Sequence, residues 1–449
     1  MAQKMTPSEA LVASLKELPQ KYRPPKPMFQ RLLSFAADLK TAQDALVINT
    51  LLGMSLDYGA ELPTGPVRFP RDHGLHLKAG SEWYWVSCNL EVEGSGGQDR
   101  IGVITSMTRS RAISNDMQKK AGWSAEEAQL VDSMATISVA TREDGFIARR
   151  SPNVQCAALA GETRFDADPF YFQAGPDSLR GTGEDVLPLK IRIDDGPDFQ
   201  IDLTLKSVGS PKHAFFLQGE RGRTPPPREG IYYSWPQLKA SGSVTANGTK
   251  YKVSGTAWID HQLMMQTMVP TPNAPRGWMP VERFNGWSWC QFNLDNGDAF
   301  TVAAFQQGSL LAEAPVLYGF YLTRNRDRPD DVRWDTINVT GTLAADRFIP
   351  VTGGVLHPTA WIYEVTGAGV DIVLVPTPWY PDGSYMTGNL GIQGETPVTV
   401  ALIERSRTAA PTGPGAVLTG TGYCESVGYE PPDRYVGRAL AFLTGDEGD

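Results

Sequence analysis

From Trp83 onward the chain is written in short runs where apolar and polar side chains alternate, the two-residue period of a strand with one wet face. Residues 83–90 form the first run, Gly94-Ser95-Gly96-Gly97 reads as its turn, and 101–107 as the answering strand. Further strands are expected over 191–193, 201–208, 251–261, 287–294, 300–305, 318–323, 336–343, 360–365, 372–376 and 398–404. Asp295-Asn296-Gly297 between two of them is a hairpin signal, because Gly tolerates the positive φ that a tight turn needs. The first 65 residues have a different texture. Thr6-Pro7-Ser8-Glu9 has capping-box spacing and predicts a helix over 10–18, stopped by Pro19 and by Pro24-Pro25-Lys26-Pro27. A second helix is expected over 28–56. Ser124-Ala125-Glu126-Glu127 repeats the capping spacing and predicts a short helix to about Ala135. Proline-rich breaks stand at 224–227 and 269–280. Many short strands parted by turns point to a sandwich or a barrel.

Length turns this into more than one core: 449 residues exceed what a single compact core holds. Abundant Gly (45) and Pro (34) suit tight turns, and 11 Trp are more than a plain sandwich core needs, so an aromatic-lined cavity enters the picture. The formal charge of −9, without a basic cluster, disfavours nucleic acid as a partner. The four cysteines, Cys88, Cys156, Cys290 and Cys424, form no CxxC pair, and a reducing cytoplasm is the simple expectation. The N-terminus lacks a signal-peptide pattern, and the longest apolar stretch, 45–56, is too short and polar to span a bilayer. Peripheral contact with a membrane stays open, as does the oligomeric state.

Several chemistries drop out. There is no GxSxG elbow, no phosphate-binding glycine loop and no HExxH. His73 and His76 lie close together without a third ligand nearby in sequence, so neither a metal nor another cofactor is expected. The informative run is Val253-Ser254-Gly255-Thr256-Ala257-Trp258-Ile259-Asp260-His261-Gln262. As a strand it puts Trp258 and Asp260 on one face and Ile259 and His261 on the other. An Asp beside Trp in an aromatic cavity is poorly solvated, which favours its neutral, proton-donating form. The plainer alternative is that Asp260 and His261 bond to backbone or a neighbouring loop. Nearby runs add rings: Tyr232, Tyr233 and Trp235, with Pro236 placing that run at an edge or strand end; then Trp287 and Trp289; and Trp83 and Trp85 earlier.

These motifs resemble the lipocalin-like carotenoid 1,2-hydratase and Diels-Alderase family. Glu82-Trp83-Tyr84-Trp85 is similar to its opening motif, and residues 109–116 to a second strand. Tyr232-Tyr233-Ser234-Trp235-Pro236-Gln237-Leu238 followed by residues 255–262 resembles its central signature; 286–297 resembles its hairpin, and 420–429 its closing motif. Leu263-Met264-Met265 departs from the Trp or Gly usual there and makes the site more apolar, and 394–400 replaces another family strand. The resemblance implies a mainly β protein of two tandem lipocalin-like antiparallel β-barrels, at 66–265 and 266–449, behind an α-helical N-terminal extension at 1–65. It implies Asp260 as proton donor, with Tyr232 and His261 beside it. A hydrophobic small molecule would lie among Glu82, Trp83, Trp85, Tyr233, Trp235, Trp258, Trp287 and Trp289. The leading expectation is a hydratase or cyclase that protonates a double bond or carbonyl of an isoprenoid or polyketide. A pericyclase that folds a polyene for cycloaddition and a non-catalytic lipid or pigment carrier are the alternatives.

Overall fold

The computed structural model describes residues 4–17, 26–39, 67–141, 145–150, 154–183, 186–207, 214–215, 231–264, 284–307, 316–324, 334–351, 355–379, 385–388, 391–404 and 417–427. Helices α1 (Pro7–Glu17) and α2 (Lys26–Asp38) form the N-terminal extension. The expected capping box is made: Glu9 N donates to Thr6 Oγ1 at 3.2 Å, and Thr6 N to Glu9 Oε2 at 2.8 Å. Leu11 and Leu15 pack on Phe29, Leu32, Leu33 and Ala36 of the second helix. The part of the second expected helix beyond residue 39, and both proline-rich breaks, lie outside the described residues.

The rest is β. The first set of strands is β1 (Ser81–Val92), β2 (Arg100–Arg111), β3 (Gln129–Thr141), β4 (Gly145–Arg150), β5 (Val154–Ala157), β6 (Thr163–Ala167), β7 (Phe170–Ala174), β8 (Asp177–Gly181), β9 (Leu189–Asp194), β10 (Phe199–Lys206), β11 (Ala214–Phe215), β12 (Ile231–Ala246) and β13 (Thr249–Met264). Their order, β4-β3-β2-β1-β13-β12-β10-β9-β8-β7-β6, makes a nearly closed eleven-stranded barrel. The second set is β14 (Phe284–Leu294), β15 (Ala299–Gln307), β16 (Val316–Arg324), β17 (Trp334–Val351), β18 (Val355–Gly367), β19 (Val370–Pro378), β20 (Tyr385–Gly388), β21 (Gly391–Glu404) and β22 (Val417–Val427). Pairing of β19 with β21 closes eight of these into a barrel, with β20 alongside β21. Asp295-Asn296-Gly297 turns β14 into β15 as expected, with Gly297 at φ 88°.

Two sequence expectations are corrected. Residues 129–135 are strand, not helix. The Ser124–Glu127 box does form, with Glu127 N donating to Ser124 Oγ at 3.1 Å and Ser124 N to Glu127 Oε2 at 2.8 Å, but it closes only a turn. The two-residue period of Val131, Ser133, Ala135, Ile137 and Val139 then wins, since it buries an apolar row in the barrel. The helix in this region is α3 (Asn115–Ala121), capped by Ser114 and ended by Gly122 at φ 71°; it cuts short the strand expected over 109–116 at Arg111. The second correction concerns Pro236. β12 lies inside the sheet, between β10 and β13, not at an edge. A bulge between Trp235 and Leu238 absorbs the missing N–H, with Gln237 at φ 58°.

Burial tells where the barrels meet. β10 alternates cleanly, as a strand with one solvent face should. β1 is buried on both faces almost throughout: Tyr84, Val86, Cys88 and Leu90 fill the first barrel, whereas Trp85, Ser87 and Asn89 point outward under the second. Asn89 Nδ2 donates to Gly422 O at 3.0 Å, and Asn293 Nδ2 to Ala257 O at 3.2 Å. The bulged Gln237 reaches across too, donating from N to Asn293 Oδ1 at 2.8 Å and from Nε2 to Leu294 O and Asp298 O at 2.9 and 2.7 Å. Gly102 is where the barrels approach closely. A Cβ there would stand 2.8 Å from Pro397 Cγ and nearer still to Tyr423 Oη. Gly102→Ala is therefore expected to cost about 1–3 kcal/mol in denaturant unfolding; unchanged stability would mean that the seam has room to spare.

Candidate active site

Strand alternation splits the expected site residues between two places. On the outer face of the first barrel, under the second, Asp260 is wholly buried. Its Oδ1 accepts from Trp258 Nε1 at 2.7 Å and from Ser234 Oγ, which stands directly opposite across the β12–β13 ladder. Trp85 is its opposite on β1. Rings close the seam: Trp85 lies 5.4 Å from Trp289 and 6.4 Å from Tyr423, and Tyr232 lies 6.3 Å from Trp289, centroid to centroid. Trp83, Ile104, Phe320, Leu322 and Trp334 join the same apolar cluster. Burial pushes the Asp260 carboxyl up to about 8, and the Glu425 charge adds to this, while the hydrogen bonds from Ser234 and Trp258, with a smaller influence of Tyr232, pull the other way. At neutral pH the group is mostly protonated.

Glu425 comes from β22 of the second barrel, paired with Trp289. Its negative charge disfavours a second one nearby, so Glu425→Gln should lower the Asp260 pKa. Any activity that needs the protonated acid should then fall away at lower pH than in the wild type. A falling limb that does not move would remove Glu425 from the site.

The second place lies inside the first barrel. His261 is on the other face of β13 from Asp260, as alternation required, and Glu82, Tyr233 and Trp235 are with it rather than with Asp260. Glu82 Oε1 accepts from His261 Nε2 and from His76 Nδ1, both at 2.8 Å; Oε2 accepts from His76 N at 2.5 Å and Arg109 Nη2 at 3.2 Å. With Nε2 of a neutral His261 donating, Nδ1 accepts from the Tyr233 hydroxyl at 2.7 Å, which in turn accepts from His73 Nδ1 at 2.8 Å. Burial would raise Glu82, but the His76 charge and the His261 and His76 hydrogen bonds hold it well below the ordinary carboxylate range. Burial keeps His261 low despite Glu82. Burial also pulls His76 down, and Glu82 and Asp72 more than reverse it. His73 and His76 are thus occupied with Tyr233 and Glu82. Glu82 thus accepts from four donors and links β1 to β2 and β13.

So Trp83, Trp85, Tyr232, Trp258, Asp260 and Trp289 come together at the seam, and Glu82, Tyr233, Trp235 and His261 gather in the barrel. The Trp287 side chain lies outside the described residues. Sequence reasoning missed Ser234, Glu425 and Gln291 of β14, whose buried side chain donates from Nε2 to Ser87 Oγ on the outer face of β1. Ser234 shares a face with Tyr232, but only the register sets it against Asp260. Also unforeseen is the placement of Cys290 opposite Cys424 on β14 and β22, both buried and free in the second barrel.

The sequence profile of the AttH-like family matches residues 60–378, well over half the chain. The chain belongs to the AttH-like family. Among solved structures, an AttH-type protein, NE1406 of Nitrosomonas europaea, aligns at 20% identity and a TM-score of 0.57, covering 83% of this chain and 99% of that one. This likeness agrees with the lipocalin-like two-barrel fold. Kievitone hydratase from Nectria haematococca aligns at 15% identity and TM-score 0.48, over 82% of this chain and 93% of its own. CghA with Sch210972 aligns at 11% and 0.37, over 78% and 88%. Among curated proteins none matches. Among the described residues no helix is long and apolar enough to cross a membrane.

Proposed function

We propose that this AttH-like protein is a hydratase or cyclase that protonates a carbon–carbon double bond or carbonyl of a hydrophobic isoprenoid or polyketide, with Asp260 as the acid. The observation that carries this reading is one carboxyl, fully buried among aromatic rings, whose pKa of about 8 keeps its proton at neutral pH. Ser234 and Trp258 both donate to Oδ1, so the proton belongs on Oδ2. In the step itself the Oδ2–H bond breaks as a C–H bond forms on a double bond, or as an O–H bond forms on a carbonyl. The resulting cation faces the π-clouds of Trp85, Trp258 and Trp289, which favour positive charge. Water adds to the cation and returns a proton to the Asp260 carboxylate, for a net addition of H₂O; in a cyclase an internal double bond or hydroxyl adds instead, and the cyclised cation gives a proton back to the Asp260 carboxylate, for a net isomerisation. Tyr232 lines the same seam, its ring 6.3 Å from that of Trp289. His261 acts from the other face of β13, holding the strand rather than touching the substrate.

The test is turnover in heavy water. One deuterium bound to carbon in the product is expected. A product formed without carbon-bound deuterium would overturn protonation at carbon, and turnover surviving in Asp260→Asn would then overturn protonation of a carbonyl as well and identify a pericyclase; a lipid recovered unchanged would identify a carrier.

A further inference from the structure

Three buried polar atoms in the seam have no hydrogen-bond partner among the described residues: Trp85 Nε1, Asp260 Oδ2 and Gln291 Oε1. Their residues are 5%, 0% and 1% exposed, so water outside the fold does not reach them. They come from β1, β13 and β14 and share one patch. Trp85 and Asp260 stand directly opposite each other across the ladder. Gln291 Nε2 donates to Ser87 Oγ, two residues along β1 from Trp85 on the same face. Positions so related lie within about 8 Å of one another.

Folded proteins pair more than about 90% of their buried polar groups, and an unpaired one opposes folding. Three on one patch of an otherwise aromatic seam therefore look outward to something bound. Their chemistry is specific. The indole N–H can only donate. The Gln291 amide keeps one unmatched polar end whichever way it is turned. The neutral Asp260 carboxyl can donate from Oδ2. A hydrocarbon polyene would leave all three as they are.

We infer that the ligand of this seam is an oxygenated hydrophobe, carrying a carbonyl that accepts from Trp85 and a hydroxyl that pairs with Gln291, rather than a pure hydrocarbon. This rests on the proposed function for its location, and on hydrogen-bond satisfaction for its chemistry.

Equilibrium dialysis with three C15 isoprenoids tests it: farnesene (hydrocarbon), farnesol (alcohol) and farnesal (aldehyde). Farnesol and farnesal are expected to bind about tenfold tighter than farnesene, the size of one well-made hydrogen bond. Trp85→Phe should erase the advantage of farnesal, and Gln291→Leu that of farnesol. Comparing ratios between variants cancels the unequal water solubility of the probes. Equal binding of all three by the wild type, or a preference that survives both substitutions, overturns the inference. If a variant fails to fold, the wild-type indole ¹⁵N–¹H signals serve: one should move downfield with farnesal and none with farnesene, and no movement with farnesal also overturns it. Asp260→Asn should keep the farnesal preference. A preference retained by an Asp260→Asn variant that still turns substrate over at the wild-type rate would sink the proposed chemistry and leave this inference standing.

Discussion

Asp260→Asn is expected to cut turnover by about 10²–10⁴-fold, the range that a positioned general acid supplies, and at the same time to make the protein more stable. The two effects have one cause. In the unfolded chain Asp260 ionises near its ordinary 3.8, whereas in the folded seam burial holds it neutral up to about pH 8. Between those values folding takes up a proton, so stability falls as pH rises from about 4 to 8 and is flat beyond. Asn is neutral in both states and almost isosteric, and its Oδ1 keeps the hydrogen bonds from Trp258 and Ser234. The variant should therefore gain on the order of 2–4 kcal/mol at pH 7, with the gain disappearing below pH 4. Chemical denaturation at pH 4 and pH 7, beside turnover, checks both halves. A variant that is inactive and less stable at pH 7 would show that Asp260 is a charged structural group, and the acid would have to be sought elsewhere.

The same physics decides how much was legible in the sequence. The face on which a residue lies follows from counting by twos, so the separation of Asp260 from His261 could be read from Trp258-Ile259-Asp260-His261 alone. Which face looks at what could not. Trp83 and Trp85 read equally well as barrel filling or ligand wall; only the double burial of β1 shows that its outer face lies under a second barrel. The resemblance grouped Glu82, Tyr233 and His261 with the acid because they are neighbours along the strands. A strand, however, sends neighbours to opposite sides, and they became a separate network. The Ser124–Glu127 box misled for a related reason. Local capping chemistry is real there, but a cap closes a turn as well as it starts a helix, and the buried row from Val131 to Val139 decides which follows. Ser234 and Glu425 depend on register and on barrel-to-barrel docking, which no single run of residues encodes.

Glu82→Gln should be the most damaging single change in the first barrel. Glu82 and Arg109 are both fully buried and bonded at 3.2 Å, with His76 on the other side. The substitution preserves shape but removes the carboxylate that faces the Arg109 guanidinium and shares the readily protonated His76 imidazole with Asp72. Burial already works against the Arg109 cation, and the Glu82 charge offsets this. Without it the cation stays buried and uncompensated, which costs about 3–5 kcal/mol. The acid side adds a second signature. Because the folded pKa of Glu82 is depressed, its contribution is whole above the ordinary value of 4.5 and drains away as pH falls below it. Wild-type stability should drop with acid in that window, and Glu82→Gln should follow a flatter line. Replacing the ion pair as a unit, Glu82→Gln with Arg109→Met, should recover part of the loss, since the stranded charge is gone. If Glu82→Gln unfolds no more readily than the wild type at pH 7, the Glu82 network is not what ties β1 to β13 and β2, and a catalytic role for Glu82 and His261 inside the barrel regains its claim.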